Sequence, residues 1–331
     1  MKLQKKGFVL AAGLLFALNV QAKQAFCVFD VAGKAGDAYA LMKDYALEAK
    51  KWGADLDVKV YNDERVATED FKAKRCDGVA ISGLRGRQFN SFTGSIDAPG
   101  ALPSLSSAIK FLQFLSRPQF AKEMIRNDYE VVGLIPIGAA YIFVNDRSIN
   151  TVAKAAGKKI AVLDFDQSQK EMVQKMGAQP VTTDILSAGP KFNNGQVDII
   201  AAPAVAFKPL ELYRGLGTKG AIYRFPLAQI TGNLIIHKDR FPEGYGQKSR
   251  LYVASQLPRA TQIIGKLEKD IPAKYWLNVP KEDHLGYIKL MREARIDLMK
   301  SGRFDKRVLG LMKKIRCSED PQSFECPLND E

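Results

Sequence analysis

The chain has 331 residues, of which 46% are hydrophobic and 26% charged, the composition of an ordinary globular protein. Its length exceeds one ordinary core, so we expect two lobes or domains. The formal net charge of +13 fits an anionic ligand, an anionic lipid or a basic exported surface. It is not concentrated in one arm, and the N-terminus predicts export, so nucleic acid is excluded as a partner.

The N-terminus has the pattern of a secretory signal. Three lysines within the first six residues precede an apolar run over residues 8–20, and Val20-Gln21-Ala22 is a small-x-Ala cleavage pattern. The run has the length of a signal-peptide core and is short for a bilayer span, although an uncleaved anchor helix is the alternative. We therefore expect residues 1–22 to be a signal peptide cleaved after Ala22, and the mature protein to be periplasmic.

Two widely separated stretches of the chain share one order of elements. In each, an apolar strand ends in Asp, a middle strand follows, and a Phe lies six residues before an Asp that precedes a third apolar strand. The first copy has strands 26–30, 57–61 and 78–82 with Phe71 and Asp77; the second has strands 160–164, 179–182 and 199–203 with Phe192 and Asp198. Such a duplication is typical of two similar α/β lobes that hold a ligand between them.

The remaining elements complete this architecture. Helical spacing predicts helices over 38–52, 68–75 and 104–127, the last broken at Pro118, and residues 82–87 read as a polar, basic loop. Strand-like runs at 129–144 and 220–236 would cross between the lobes as a hinge, and the chain after Pro242 reads as helix. We predict an α/β fold of two doubly wound lobes joined by a β-strand hinge, with a helical C-terminal portion. Lobe 1 would comprise residues 23–140 and 232–331, and lobe 2 residues 141–231.

The four cysteines of this exported chain predict two disulfides. Cys317 and Cys326 close a short loop in the tail. Cys27 lies in the first strand and Cys76 just before the third, and these strands are neighbours if the lobe has strand order 2-1-3. No Cys-x-x-Cys or Cys-x-x-His spacing exists, so we predict no metal site and no cofactor.

Several phrases resemble the periplasmic solute-binding proteins of TRAP transporters. They are the segments 70–78, 149–160, 192–198 and 233–242, together with the order of the elements. Within that group the chain is similar to a branch of solute-binding proteins, the AdeT-like proteins, some of which carry an efflux-related label. The resemblance implies a periplasmic-binding-protein-like fold, a small-molecule ligand, and membrane transporter components as partners.

One position departs from the family. Members of the family usually carry an Arg that binds a substrate carboxylate. This Arg directly follows the segment that corresponds to Gly157-Lys158-Lys159-Ile160. Here the next residue is Ala161, and a methyl group cannot replace a bidentate guanidinium. The departure favours a larger or more apolar ligand, a lipid included, or an anion held by a different Arg.

In doubly wound lobes, ligands bind beyond the carboxyl ends of the strands. That rule, with the crossovers, gives the candidate ligand-binding residues Asp30, Lys34, Asp37, Ser82, Arg85, Arg87, Tyr141, Asp164, Phe165, Gln167, Ser168, Pro203, Phe207, Gln229 and Asn233. Arg85 and Arg87 would read an anionic or polar end of the ligand, and aromatic side chains would contact an apolar body.

Each candidate also has a structural reading. Asp30 and Asp164 could cap the turn or helix that follows, and the glycines around Lys34 could form a plain turn, since no complete phosphate-loop motif is present. The two arginines could lie in a solvated loop. Tyr141 and Phe207 could be core residues.

Catalysis finds little support, since no nucleophile elbow, zinc-protease motif or Cys–His pairing occurs. The sequence therefore predicts a non-enzymatic exported protein that captures a small molecule between two lobes and delivers it to a membrane transporter. The alternative is an accessory or adaptor subunit of an efflux or lipid-trafficking system, in which protein contacts are the main function.

Overall fold

One continuous sheet passes through both lobes of the molecule. The structure, a computed structural model, describes residues 23–331 apart from the side chains of residues 281 and 282, so the expected signal peptide and its cleavage site lie outside the described residues. The ten strands of this part of the chain are β1 Gln24–Phe29, β2 Leu56–Tyr61, β3 Gly78–Ser82, β4 Ile125–Arg126, β5 Tyr129–Val144, β6 Lys159–Leu163, β7 Gln179–Thr183, β8 Ile199–Pro203, β9 Ala221–His237 and β10 Trp276–Leu277.

Helices cover both faces of this sheet. Those between residues 23 and 331 are α1 Asp37–Lys51, α2 Glu64–Lys72, α3 Gly83–Gly86, α4 Ser91–Gly94, α5 Leu105–Leu115, α6 Val152–Ala155, α7 Gln167–Lys175, α8 Ile185–Asn193, α9 Leu212–Leu216, α10 Tyr245–Ser255, α11 Leu257–Lys269, α12 Lys281–Lys300 and α13 Lys306–Glu319. None of the helices in this range is long and apolar enough to cross a membrane.

The strand order is β2-β1-β3-β9-β5-β8-β6-β7, with β10 beside β9 and β4 beside β5. The three strands of each lobe are parallel, and the long antiparallel pair β5–β9 lies between them. This confirms the predicted fold class, the order 2-1-3 in lobe 1 and its counterpart in lobe 2. Successive side chains of β1 point to opposite faces of the sheet and pack in two cores. Cys27 lies in one core, and Phe26 and Val28 lie in the other.

The local predictions differ from the structure at three places. α2 begins at Glu64 rather than Thr68, because Asp63 caps it by accepting hydrogen bonds from the N–H groups of Arg65 and Val66. The predicted loop at 82–87 contains α3, whose N-cap Ser82 accepts from the N–H of Arg85. The helix predicted over 104–127 ends at Leu115; a 3-10 turn begins at the predicted break, Pro118, but no α-helix follows it, and β4 occupies Ile125–Arg126.

Both predicted disulfides, Cys27–Cys76 and Cys317–Cys326, are present. The first lies in the core between β1 and β3, where both cysteines are fully buried. The second closes the tail after α13.

The C-terminal helices belong to both lobes. Tyr287 and Met291 of α12 pack in a core of lobe 2, whereas Leu298 of the same helix packs in a core of lobe 1. Ile271 also contacts lobe 2. One helix, α12, therefore covers the junction of the two lobes.

Candidate functional site

A cavity of about 280 Å³ lies where the two lobes and the hinge strands meet. Its wall is largely apolar. Lobe 1 contributes Phe29 and Leu84, the hinge contributes Ile142 and Ile230, and lobe 2 contributes Ala161 among others. The carboxyl ends of the parallel strands border it, as expected for ligand sites in doubly wound sheets.

A few polar side chains interrupt this wall, among them Ser82, Arg87, Asp97, Asp166 and Ser168. Asp166 is the N-cap of α7 and accepts hydrogen bonds from the N–H groups of Ser168, at 3.0 Å, and Gln169, at 3.4 Å. An apolar pocket with a few fixed polar groups is the usual composition of a small-molecule site.

Arg85, expected to bind an anionic ligand, is engaged within the protein. Its Nε donates to Glu64 at 3.0 Å, and both side chains are almost fully buried. The same carboxylate accepts from the N–H of Ser82 at 2.6 Å. Burial raises the pKa of Glu64, although the Ser82 N–H and the Arg85 guanidinium oppose that shift. Arg85 is not among the residues that line the cavity, so its role in ligand binding stays a prediction.

The basic α3 also bridges the cleft. The Arg85 guanidinium lies 3.8 Å from the centre of the Phe165 ring and 3.9 Å from Asp164. Arg87 lies 3.6 Å from Asp166, and its Nε donates to the carbonyl of Gly94 at 3.0 Å. The two arginines therefore join lobe 1 to the β6–α7 turn of lobe 2.

Two further ion pairs cross between the lobes. Arg303 contacts Glu171 at 2.7 Å, and Lys175 pairs with Asp297. Because these groups are partly exposed, each pair is weak. Together with the contacts of α3, they hold the lobes against each other around the cavity.

Asp97 is the most unusual polar group of the cavity wall. Only 2% of it is exposed. Its Oδ1 accepts from the backbone N–H of Thr231 at 3.1 Å and from the Thr231 hydroxyl at 2.7 Å, while Oδ2 has no partner among the described residues. Burial raises the pKa of Asp97 to about 7, against the opposing influence of Thr231 and Arg87.

The structure brings only part of the predicted set together. Ser82, Arg87, Ser168 and Pro203 line the large cavity. A second cavity of about 170 Å³, between α1, α11 and the hinge strands, is bordered by Asp37, Ser82 and Asn233.

Other candidates have structural roles instead. Asp30 is buried and accepts from the N–H groups of Ala32, at 2.9 Å, and Tyr39, at 3.1 Å, so it fixes the turn before α1. Lys34, Asp164 and Gln167 are exposed, and neither cavity has them in its wall.

Tyr141 and Phe207 pack away from the large cavity, in a core of lobe 2. The Tyr141 hydroxyl donates to Glu268 at 2.8 Å, and its ring meets Trp276. Burial, with Glu268, raises the pKa of Tyr141. The structure thus favours the core reading of both aromatic residues.

Gln229 and Asn233 form, with Thr231, a buried polar row on β9. Neither cavity wall includes Gln229.

Asp97 and Asp166 were missed by sequence reasoning. Asp166 lies within the predicted turn between Asp164 and Gln167, so strand-end logic could have found it; Asp97 follows α4 and belongs to no motif.

Fold and site together define a two-lobed α/β binding protein with a cleft between its lobes. The family model described as "Solute-binding protein AdeT 1/2" matches residues 46–331, and the chain belongs to that family. It is 60% identical over 304 residues, 92% of this chain and 100% of the relative, to "Probable solute-binding protein AdeT1" of Acinetobacter baumannii.

Solved structures share the fold at low sequence identity. A TRAP periplasmic solute-binding protein from Ralstonia eutropha with bound (S)-2-acetolactate has TM-score 0.74 and 13% identity, over 89% of this chain and 99% of that one. One from Shewanella oneidensis with bound succinate has TM-score 0.70 and 13% identity, over 88% and 98%. The resemblance drawn from the sequence is confirmed.

Proposed function

We propose that this protein captures a small molecule in the cavity between its lobes and delivers it to a membrane transporter. The observation that carries the proposal is the largely apolar cavity of about 280 Å³ whose wall combines both lobes and the hinge strands. A ligand that contacts both lobes stabilises the arrangement in which they meet, so binding shifts the population toward closure.

Family membership supports capture, and the solved structures of the same fold hold small organic acids. Ala161 lines the cavity, so a methyl group stands where the resemblance expects a carboxylate-binding Arg. We further propose that residues 1–22 direct export, that cleavage after Ala22 releases a periplasmic protein, and that this protein catalyses no reaction.

Thermal melting against a panel of organic acids, amines, sugars, lipids and drugs tests the proposal. A ligand present at a hundred times its Kd should stabilise the folded protein by about 2.7 kcal/mol. Ala161→Trp should abolish that stabilisation by filling the cavity. Ala73→Trp places the same side chain on an exposed site of lobe 1 and should leave it unchanged.

The adaptor function would be supported instead if no compound of the panel stabilised the protein and the folded protein stably captured a membrane component. Stabilisation that survives Ala161→Trp would place the binding site outside the large cavity.

A further inference from the structure

We propose that the cavity selects a ligand with a protonated amino group, held by Asp97, and an apolar body along the wall of lobe 2. This inference rests on the proposed capture function and names its ligand class. It reverses the expectation of an anionic end held by arginines.

The first observation is an incompletely used carboxylate. Asp97 is buried in the cavity wall, with both hydrogen bonds from Thr231 made to Oδ1 and none, within residues 23–331, to Oδ2. A buried polar atom without a partner costs free energy and calls for a missing donor. An ammonium group offers three donors and a positive charge.

The second observation is a row of buried polar atoms without partners on β9, the strand whose Thr231 binds Asp97. In the described part of the chain, Gln229 Oε1, Asn233 Oδ1 and Asn233 Nδ2 also lack partners. Gly83 allows α3 to lie close over these groups. A Cβ added at Gly83 would lie 2.7 Å from Asp97 Oδ2 and 2.9 Å from Asn233 Nδ2. Oδ2 of Asp97, the one of these acceptors whose residue lines the large cavity, is the atom that a donating ligand would satisfy.

The third observation concerns the nearby cations. Arg85 is paired with Glu64 at 3.0 Å, and Arg87 lies 3.6 Å from Asp166 and donates to the Gly94 carbonyl. A ligand carboxylate would compete with Asp166 for Arg87 and face the Asp97 carboxyl in an environment of low dielectric. An ammonium would have Asp97 and Asp166 as neighbours of opposite charge.

The rest of the wall is suited to an apolar body. Ile142, Ala161, Val162, Met172 and Ala202 are among the side chains that line it. Burial of hydrocarbon there contributes about 25 cal/mol per Å² removed from water. The amino group would supply orientation and selectivity, and the body most of the affinity.

Matched probes test the ligand class. Phenylbutylamine, phenylbutyrate and phenylbutanol share one body, and octylamine, octanoate and octanol share another. In calorimetric titration, we expect the amine of each set to bind at least about tenfold more tightly than the carboxylate, because the carboxylate lacks a donor for Asp97. Asp97→Asn should weaken amine binding about tenfold or more and change binding of the alcohol by less than about threefold.

Asp239→Asn makes the same change at an exposed site and should alter none of these affinities. A second measurement follows amine binding from about pH 6 to about pH 8. Affinity should rise as Asp97 loses its proton, because the amine stays charged throughout. The groups that face Asp97 are Asp166, Arg87 and Thr231. Asp97→Asn should remove the rise in amine affinity with pH, although Asp166 and Arg87 are still present.

Tighter binding of the carboxylates would overturn the ligand class and leave the capture function standing. Equal binding of amine by wild type and a folded Asp97→Asn variant would overturn the role of Asp97. If no member of either probe set binds the folded protein, this inference is overturned. If, in addition, no compound of the broad thermal panel stabilises the protein, the capture function is contradicted.

Discussion

Asp77 and Asp198 occupy equivalent positions in the two lobes and make the same pair of contacts. Oδ2 of Asp77 accepts from the N–H of Ala25 at 2.8 Å, and Oδ2 of Asp198 accepts from the N–H of Lys159 at 2.9 Å. In return, the backbone N–H of Asp77 donates to the carbonyl of Ala25, and that of Asp198 donates to the carbonyl of Lys159. Each Asp therefore aligns the start of the third strand of its lobe with the start of the first.

Removing either carboxylate should destabilise the lobe that contains it. We expect Asp77→Ala and Asp198→Ala each to lower the free energy of unfolding by about 1–3 kcal/mol, because a strand N–H loses its acceptor. Urea denaturation measures the change. Asp57→Ala, at an exposed position of β2, should change stability by less than about 0.5 kcal/mol. Equal effects at all three positions would contradict this role.

The repeat explains why the fold was predictable from the sequence. Apolar and strand-like runs identified eight strands, and β3, β5 and β8 have the predicted bounds. The paired Phe–Asp spacing then showed that the lobes share one topology.

The site was less predictable, because contacts between distant residues decide it. Nothing in the sequence shows that Arg85 pairs with Glu64, twenty-one residues earlier. Irregular register in β5, with shifts at Gly138 and Tyr141, also breaks the simple alternation that assigns side chains to a face. Ile137 and Ala140 therefore both line the cavity although they are three residues apart, whereas Tyr141, next to Ala140, packs in a core.

Breaking the buried Arg85–Glu64 pair should destabilise the whole protein. We expect Arg85→Ala to lower the free energy of unfolding by about 3–5 kcal/mol, because a buried carboxylate would lose its partner. Replacing both residues, as Glu64→Gln with Arg85→Met, should recover much of that loss. Chemical denaturation of wild type and the two variants decides this, and an Arg85→Ala variant as stable as wild type would contradict it.

The two disulfides should contribute unequally. Loops of 49 and 9 residues give entropic contributions of about 4 and about 2.5 kcal/mol. Replacing Cys27 and Cys76 together by Ala should thus lower the melting temperature more than the same change at Cys317 and Cys326. The reverse order in differential scanning calorimetry would show that the short tail loop matters more.

Asp97 should make stability depend on pH. Its raised pKa, about 7 because of burial, means that the folded state retains a proton that the unfolded state releases near pH 3.9. This contribution is fully present below about pH 3.9 and is lost as the pH rises to about 7. The free energy of unfolding of the Asp97→Asn variant minus that of wild type should therefore be about 2–4 kcal/mol larger at pH 8 than at pH 4.

Denaturation of both proteins across that range measures the difference directly, and the other titrating groups cancel in the comparison. A difference that stays constant with pH would show that Asp97 titrates normally.

The structure of the protein with the tightest ligand from the panel tests the central claim most directly. The account predicts density inside the large cavity, in contact with Ser82 or Asp97 of lobe 1 and with Ala161 or Ser168 of lobe 2. Density outside the cavity, or a ligand that contacts one lobe alone, would contradict capture between the lobes.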